Sequence, residues 1–324
     1  MIRMKQDERI IFMGTPEIAA VILQRLINEG RNVVLAVSQP DRPTGRKNKI
    51  EPTPVKKIAE EHGIPVFQPE RIRRDYQAIA DANADLIVTC AYGQILPQAV
   101  LDLPKQGCVN LHGSLLPEYR GAAPIQRALW DGKTESGMTL MRMEAGMDTG
   151  AVCAMKTLPI TQTDTTDTLF EKMGLCAADL LMKHLDDLLE GKAEFKEQDE
   201  SGATYAAMLK PEEEELDLFA DDGHIERQIR TFAEKPGAYL LIDGKKIKIL
   251  EAVYEPGQEE DEEHPLGLLK KEGKKAMSLQ LHQGKLMLKR VQPAGKGVMK
   301  IQDFVNGAGR ALDGKIAERK GEQH

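Results

Sequence analysis

Short apolar runs alternate with helical patterns through the first half of the chain. The runs predict five strands, at residues 9–13, 33–38, 86–90, 108–111 and 138–143. Between them, residues 16–29 and 55–62 carry apolar side chains at helical spacing, and a glycine follows each segment. Because strands that alternate with helices form parallel sheets with right-handed crossovers, the pattern predicts an α/β domain with a Rossmann-like, open and mostly parallel sheet. Ligands of such a sheet bind at the carboxyl ends of its strands.

The second half of the chain follows a different pattern. A helical pattern at residues 166–189 is followed by a polar stretch without clear periodicity. Beyond it, short alternating runs are separated by charged or Gly-rich turns, which is typical of a small β barrel or sandwich: residues 239–242, 246–250, 278–281 and 285–291. A length of 324 residues is also more typical of two domains than of one. We therefore predict a first domain at 1–191, a linker at 192–209 and a smaller β-rich domain at 210–324.

Composition narrows the class of protein. The formal charge of −7 argues against a general nucleic-acid coat protein, so any basic surface must be local. None of the four cysteines forms a CxxC pair, and Cys90 and Cys108 lie in apolar runs, so we expect buried free thiols and a reducing compartment. The N-terminus carries no long apolar segment and no cleavage site. We expect a soluble cytoplasmic protein without a membrane segment and without a dedicated metal site.

The segment at residues 107–124, GCVNLHGSLLPEYRGAAP, runs from a strand into a Gly- and Pro-rich loop. Asn110 and His112 are two residues apart, so their side chains share one face if the strand extends that far. An Asn amide can stabilise a developing oxyanion, and a His nitrogen can accept a proton, which suits acyl transfer. From spacing alone, a structural role for both residues as loop-bracing hydrogen-bonders is equally open.

A second candidate is Asp148, in the turn-rich segment EAGMDTG at residues 144–150. This loop follows the strand ending near Met143, and we expect it to face the same edge of the sheet as Asn110. If the two strands are neighbours, the carboxylate could orient His112. An Asp beside glycines is more often a turn former. No GxSxG, GxGxxG or GxxxxGK[ST] motif is present, so neither a hydrolase elbow nor a nucleotide cofactor is supported.

The run NLHGSLLP at residues 110–117 resembles the signature of the formyltransferases that use 10-formyltetrahydrofolate, which share Asn-x-His-x-Ser-Leu-Leu-Pro and a downstream Asp, here Asp148. Within this superfamily the chain most resembles the methionyl-tRNA formyltransferases, and the similarity extends over nearly its whole length. The matching segments are FMGTP at 12–16, QPDRPTGR at 39–46, AYGQILP at 91–97, YRGAAPIQ at 119–126 and QPAGK at 292–296.

The resemblance implies that Asn110, His112 and Asp148 are the catalytic set. It also implies that the folate is enclosed by two loops, whose candidate folate-binding residues are Tyr92, Gly93, Ile95, Leu96, Ser114, Leu115, Leu116 and Pro117. The apolar side chains would supply the walls of the pterin site. The alternative for the leucines is a place in the core. The implied formyl donor is 10-formyltetrahydrofolate, used as a cosubstrate, and tetrahydrofolate leaves as the product.

The resemblance further implies that a polar loop at residues 39–54 reaches the acceptor end of an initiator tRNA, and that the second domain is an OB-like β barrel. Candidate tRNA-binding residues are Arg42, Arg46, Lys47, Lys49, Lys289, Arg290 and Lys296, the last three within a basic stripe at 270–300. The implied acceptor is the α-amino group of methionyl initiator tRNA, and we expect a monomer. Alternatives are a sugar-nucleotide or glycinamide ribonucleotide formyltransferase, or a catalytically silent tRNA-binding protein.

Overall fold

The computed structural model describes residues 7–44, 49–257 and 259–318, and over residues 7–207 strands and helices alternate. The strands are β1 (Ile10–Gly14), β2 (Val33–Val37), β3 (Arg42–Thr44), β4 (Lys49–Glu51), β5 (Val66–Phe67), β6 (Leu86–Cys90), β7 (Cys108–His112), β8 (Arg120–Gly121), β9 (Glu135–Arg142), β10 (Val152–Pro159) and β11 (Tyr205–Ala206). The helices are α1 (Glu17–Asn28), α2 (Pro54–Glu61), α3 (Gln77–Asp81), α4 (Gln98–Leu101), α5 (Pro124–Trp130) and α6 (Thr166–Leu189).

Seven strands form the main sheet, in the order β10-β9-β7-β6-β1-β2-β5. The five strands from β7 to β5 run parallel to their neighbours, whereas β9 and β10 are antiparallel. Every residue of β1 and β6 is buried, as expected for central strands covered on both faces. The predicted Rossmann-like, mostly parallel sheet is confirmed. The loops after β1, β2, β6 and β7 therefore leave the sheet at one edge.

Two local predictions differ from the structure. The strand expected to end at residue 111 continues to His112, so Asn110 and His112 do share one face of β7. The polar segment at residues 39–54 is partly regular, because β3 and β4 pair as an antiparallel hairpin with Arg42 opposite Glu51. Arg46 and Lys47 lie outside the described residues. The apolar pattern gave no signal for this hairpin, since all three residues of β4 are exposed.

The chain divides into two compact units. The first contains Met1–Ile125, Glu135–Ile160 and Leu169–Ala207, and the second contains Gln126–Thr134, Thr161–Thr168 and Met208–His324. The second unit adds β12 (Ala238–Ile242), β13 (Lys245–Pro256), β14 (Leu269–Glu272), β15 (Ala276–Gln280), β16 (Gly284–Pro293), β17 (Met299–Lys300), α7 (Asp222–Phe232) and α8 (Ile301–Asn306).

An antiparallel sheet organises the second unit, in the order β12-β13-β16-β15-β14 with β17 paired to β16. Its apolar face and the apolar sides of α7 and α8 form one buried cluster that includes Phe232, Leu279 and Phe304. Helix α7 presents Ile225, Ile229 and Phe232 on one side, the spacing expected of an amphipathic helix. The predicted succession of an α/β domain and a smaller β-rich domain is confirmed, and the sheet of the second domain is antiparallel. Within the described ranges, no helix combines the length and apolarity that crossing a membrane requires.

Candidate active site

Asn110 is oriented by the neighbouring strand β6. The register of the two parallel strands places Thr89 beside Asn110. Of the three acceptors that the single hydrogen of the Thr89 hydroxyl can reach, Asn110 Oδ1 is the nearest, at 2.8 Å. Thr89 itself is buried. Because the carbonyl oxygen of the Asn110 amide is engaged, its NH₂ group is the end left to donate to a ligand. Asn110 therefore presents a neutral donor of the kind that stabilises an oxyanion.

The tautomer of His112 is fixed by a backbone contact. Its Nε2 lies 2.9 Å from the carbonyl oxygen of Tyr119. Since a carbonyl oxygen can only accept, Nε2 must carry the hydrogen, and the lone pair of the neutral ring is on Nδ1. That Nδ1 lies 3.6 Å from Asp148 Oδ1, and the His112 side chain is only 6% exposed. A proton taken up at Nδ1 would sit beside a carboxylate that attracts it.

Asp148 reaches His112 by a route that the sequence did not predict. Strand β9 runs antiparallel to β7, so the loop after β9 begins beside the amino end of β7, where the Met143 amide donates to the Cys108 carbonyl at 2.8 Å. Cys108 and His112 are about 13 Å apart along the strand. The loop must therefore turn back along the face that carries His112.

Contacts outside the main sheet hold Asp148 in place. The backbone of Asp148 has φ +53°, a left-handed conformation. Its Oδ2 accepts a hydrogen bond of 2.8 Å from the amide of Gly121. Gly121 has φ +122°, and a Cβ there would lie 2.8 Å from the carbonyl oxygen of Ala206. Position 121 thus requires glycine, and its amide fixes one oxygen of the carboxylate while the other faces His112.

The 91–97 segment, predicted to bind folate, is tied to the ends of β1 and β2. The carbonyl oxygen of Tyr92 accepts hydrogen bonds from Thr15 Oγ1 at 3.0 Å and from Gln39 Nε2 at 3.2 Å. Tyr92 and Leu96 are buried, whereas Gly93 and Ile95 are exposed. Burial raises the pKa of the Tyr92 hydroxyl to about 12. The loop is thus anchored by buried residues, and Gly93 and Ile95 form its exposed tip.

The 114–117 segment, the second predicted folate loop, is internally braced. The Ser114 hydroxyl donates to the Glu118 carbonyl at 2.6 Å. The Ser114 carbonyl in turn accepts from Thr139 Oγ1 at 2.6 Å. Leu116 is buried, whereas Leu115 and Pro117 are partly exposed. Ser114 therefore shapes this loop with its side chain.

The cations predicted to contact tRNA lie in two different settings. Arg42 and Lys49 are exposed on the β3–β4 hairpin of the first unit. Lys289 and Lys296 are exposed in the second unit. Arg290 forms an ion pair with Glu234, with Nη1 2.5 Å from Oε1. Part of the basic stripe is thus neutralised by acidic neighbours.

Family models match both parts of the chain. Residues 8–185 match the model described as formyl transferase, and residues 208–309 match the formyl transferase C-terminal domain. The first match alone covers more than half of the chain. The chain belongs to the formyl transferase family.

Several solved structures share its fold. A sugar 3-N-formyltransferase solved with dTDP and 5-N-formyl-tetrahydrofolate has 17% identity and a TM-score of 0.65, covering 90% of this chain and 99% of that one. The N-formyltransferase from Helicobacter canadensis, in complex with folinic acid and dTDP-3-aminofucose, has 17% identity and a TM-score of 0.66, covering 88% and 99%. HypX from Aquifex aeolicus with tetrahydrofolic acid has 16% identity and a TM-score of 0.62, covering 94% and 48%.

The cysteines and possible metal ligands of this formyltransferase can be placed as well. Cys90 and Cys108 are buried free thiols, as predicted, and burial raises the pKa of each thiol to about 12. In the part of the chain that the structure describes, no three His, Cys, Asp or Glu side chains gather closely enough to hold a metal ion.

The sequence did not point to three residues that support the formyltransferase site. Thr89 orients Asn110. Gln198 donates to the backbone of the Asp148 loop, and Arg120 donates to Gln198. The strand register could have suggested Thr89, because it sits beside Asn110 in the parallel pair. Gln198 gave no signal, since it lies in the polar stretch predicted to be a linker.

Proposed function

We propose that this formyltransferase transfers the formyl group of 10-formyltetrahydrofolate to a primary amine, with Asn110, His112 and Asp148 as the catalytic set. The observation that carries the proposal is the fixed orientation of two polar groups on one face of β7. Thr89 leaves the Asn110 NH₂ as a donor, and the Tyr119 carbonyl leaves His112 Nδ1 as the basic nitrogen. These are the two functions that acyl transfer to an amine requires.

The proposed reaction follows from those roles. The neutral amine attacks the formyl carbon, and the formyl oxygen becomes an oxyanion to which Asn110 donates. His112 Nδ1 accepts the proton released by the amine, and the imidazolium forms beside the Asp148 carboxylate, 3.6 Å away. The bond between the formyl carbon and N10 of the folate then breaks. Tetrahydrofolate leaves with the proton that His112 returns.

The donor assignment has two supports. The matching structures were solved with 5-N-formyl-tetrahydrofolate, folinic acid or tetrahydrofolic acid. In this chain, the exposed tip of the 91–97 loop and the braced 114–117 loop follow β6 and β7, the two strands that carry Thr89 and Asn110. Loops at the carboxyl ends of neighbouring strands are where an α/β sheet binds its ligands.

For the acceptor, we propose the α-amino group of methionyl initiator tRNA, with translation initiation as the process served. The sequence resemblance to methionyl-tRNA formyltransferases supports this choice, including the QPDRPTGR segment. The exposed Arg42 and Lys49 of the hairpin, with Lys289 and Lys296 in the second unit, suit a polyanion. Arg290 is less available to such a partner, because Glu234 pairs with it.

An amino sugar nucleotide is the second candidate acceptor, and the structural comparisons favour it over tRNA. Two of the matching proteins are described as sugar N-formyltransferases, or were solved with an amino sugar nucleotide. Both also match this chain over 99% of their own length. At 17% identity such matches establish the fold.

A single assay separates the acceptors. Purified protein is incubated with 10-formyltetrahydrofolate and one of three acceptors: methionyl initiator tRNA, methionyl elongator tRNA or dTDP-3-aminofucose. Tetrahydrofolate release and acceptor formylation are both measured, with Asp148→Asn as the matched control. We expect turnover with the initiator tRNA. If dTDP-3-aminofucose were the one acceptor of the three to be formylated, the sugar amine would replace tRNA as the proposed acceptor. If none of the three were formylated, the proposed reaction would be contradicted.

A further inference from the structure

The segment at residues 196–206 is bonded to both sides of the candidate site. Lys196 and Val152 exchange two backbone hydrogen bonds, of 2.8 and 2.9 Å, beside the end of the Asp148 loop. Farther along, β11 pairs with β8, which places Tyr205 beside Arg120. The segment therefore connects the loop that carries Asp148 with the loop that follows β7.

Gln198 is the side chain in this segment that reaches the Asp148 loop. Its Nε2 donates to the carbonyl oxygens of Asp148 and Gly150, both at 2.8 Å. An amide NH₂ has two hydrogens, so both are used. A Cβ at position 150 would lie 2.0 Å from the Arg142 carbonyl oxygen, so the loop passes there at a distance that only glycine allows. Gln198 thus holds the loop on both sides of Thr149.

Arg120 determines which way the Gln198 amide points. Its Nε and Nη2 donate to Gln198 Oε1 at 3.2 and 2.8 Å. Its Nη2 and Nη1 also donate to Glu200, at 2.7 and 2.9 Å. The Arg120 side chain is 1% exposed, and a buried guanidinium must be fully paired to be tolerated. Because Arg120 can only donate, Gln198 must turn its oxygen to Arg120 and its NH₂ to the loop.

The same short backbone segment touches both catalytic candidates. Tyr119, before Arg120, accepts from His112, and Gly121, after it, donates to Asp148. The network therefore fixes the two partners of the 3.6 Å contact relative to each other. No strand of the main sheet does so, because the Asp148 loop leaves β9 at the opposite end of β7.

We propose that Gln198 is a positioning residue of this enzyme, which sets the distance between the Asp148 carboxylate and His112 Nδ1. The proposal rests on the proposed catalytic set. Without the two hydrogen bonds from Gln198, the Asp148 loop relaxes and the carboxylate leaves its place beside the imidazole. The protein keeps its substrate-binding loops, so the loss falls on turnover.

Gln198→Leu tests the proposal, and Gln228→Leu is its matched control. Gln228 in the second unit uses the same bonding mode, with Nε2 donating to the carbonyls of Glu213 and Glu215 at 2.8 and 2.9 Å. We expect Gln198→Leu to lower kcat by roughly 10- to 100-fold at unchanged KM for both substrates, the scale of a small misplacement of a reacting group. Gln228→Leu should lose thermal stability and keep its kcat. The acceptor is the one that the assay above selects.

A double-substitution cycle with Asp148→Asn separates positioning from general damage. If Gln198 acts through Asp148, adding Gln198→Leu to Asp148→Asn should cost less than about 3-fold more. The positioning role would be overturned if the kcat losses of the two single variants multiplied in full in the double variant. It would also be overturned if Gln198→Leu kept a normal kcat while Asp148→Asn was inactive. An active Asp148→Asn would instead contradict the proposed catalytic set.

A second variant, Gln198→Glu, tests the same proposal if the Gln198→Leu protein does not fold. Gln198→Glu keeps the oxygen that Arg120 binds but replaces the NH₂ with an acceptor that faces two carbonyls. It should fold and show the same loss of kcat. Full activity in folded Gln198→Glu would contradict the proposal.

Discussion

The catalytic face of β7 and the exposed cations hold their side chains in opposite ways. Asn110 and His112 are each fixed by one contact from the surrounding fold, and His112 is nearly inaccessible. Arg42 and Lys289, by contrast, have exposed side chains. A buried, oriented group has one arrangement, whereas a long exposed side chain keeps rotamer freedom. A single substitution at the catalytic face should therefore abolish formyl transfer, whereas each substitution of an exposed cation should weaken tRNA binding only in part.

The largest expected effect is at the catalytic face. We expect His112→Ala, Asn110→Ala and Asp148→Asn each to lower kcat by ~10²-fold or more, because each removes an acid/base or oxyanion function. Single-turnover rates measure this, and circular dichroism checks the fold. If all three variants fold and formylate at the wild-type rate, the catalytic assignment is wrong, and these residues would not differ from the exposed cations in their effect on catalysis.

The hairpin should give the next largest effect. Arg42→Ala removes a charged, multidentate donor, so we expect kcat/KM for methionyl initiator tRNA to fall by roughly 10-fold, the scale of a charge-assisted hydrogen bond. Tetrahydrofolate affinity should stay the same. Arg73→Ala, at another exposed arginine of the first unit, is the control. A parallel loss of folate affinity would move Arg42 from the acceptor side to the folate site.

The second unit should contribute smaller, graded effects. Lys289→Ala and Lys296→Ala should each reduce the log-log salt dependence of tRNA binding by roughly 0.7 to 0.9, the value for one phosphate contact. Arg290→Ala should change it less, because Glu234 pairs with Arg290. Filter binding at several salt concentrations, with exposed Lys183→Ala as control, measures the slopes. If the slopes of Lys289→Ala and Lys296→Ala equalled that of the wild type, these lysines would be excluded from contact with tRNA phosphates.

The smallest effect concerns the base of the hairpin. Burial raises the pKa of Asp41, but hydrogen bonds from Lys56 (2.5 Å) and Gln68 (2.7 Å) outweigh it, so the pKa is lowered. Ionised Asp41 therefore stabilises the fold above pH about 4, where an unfolded Asp is charged, and this contribution is lost as the pH falls through the lowered pKa.

We therefore expect Asp41→Asn to lower stability by about 1 kcal/mol at pH 7 and by much less in acid. Thermal unfolding of both proteins across this pH range measures the difference. Exposed Asp81→Asn serves as the control. A difference in Tm between wild type and Asp41→Asn that stays constant with pH would show that ionisation of Asp41 does not stabilise the hairpin base.

Some of this architecture is readable from local pattern. Short apolar runs located β6 and β7 closely, and helix α6 begins and ends as expected, at Thr166 and Leu189. Short elements, including the hairpin strand β4, were not predicted, because an exposed strand carries no apolar alternation. The sequence predicted a shared face for Asn110 and His112 only if the strand reached His112, and the structure extends β7 to that residue.

The sequence by itself thus placed Asn110 and His112 two residues apart at the end of a predicted strand, and the resemblance of its motif associated Asp148 with them. Only the tertiary structure decided how Asp148 arrives, through the amide of Gly121 and the side chain of Gln198. It also decided that Arg290 is paired, by a glutamate 56 residues away. Periodicity reports the neighbours of a residue along its own helix or strand. Contacts between distant segments depend on how the chain returns, and no local pattern encodes that path.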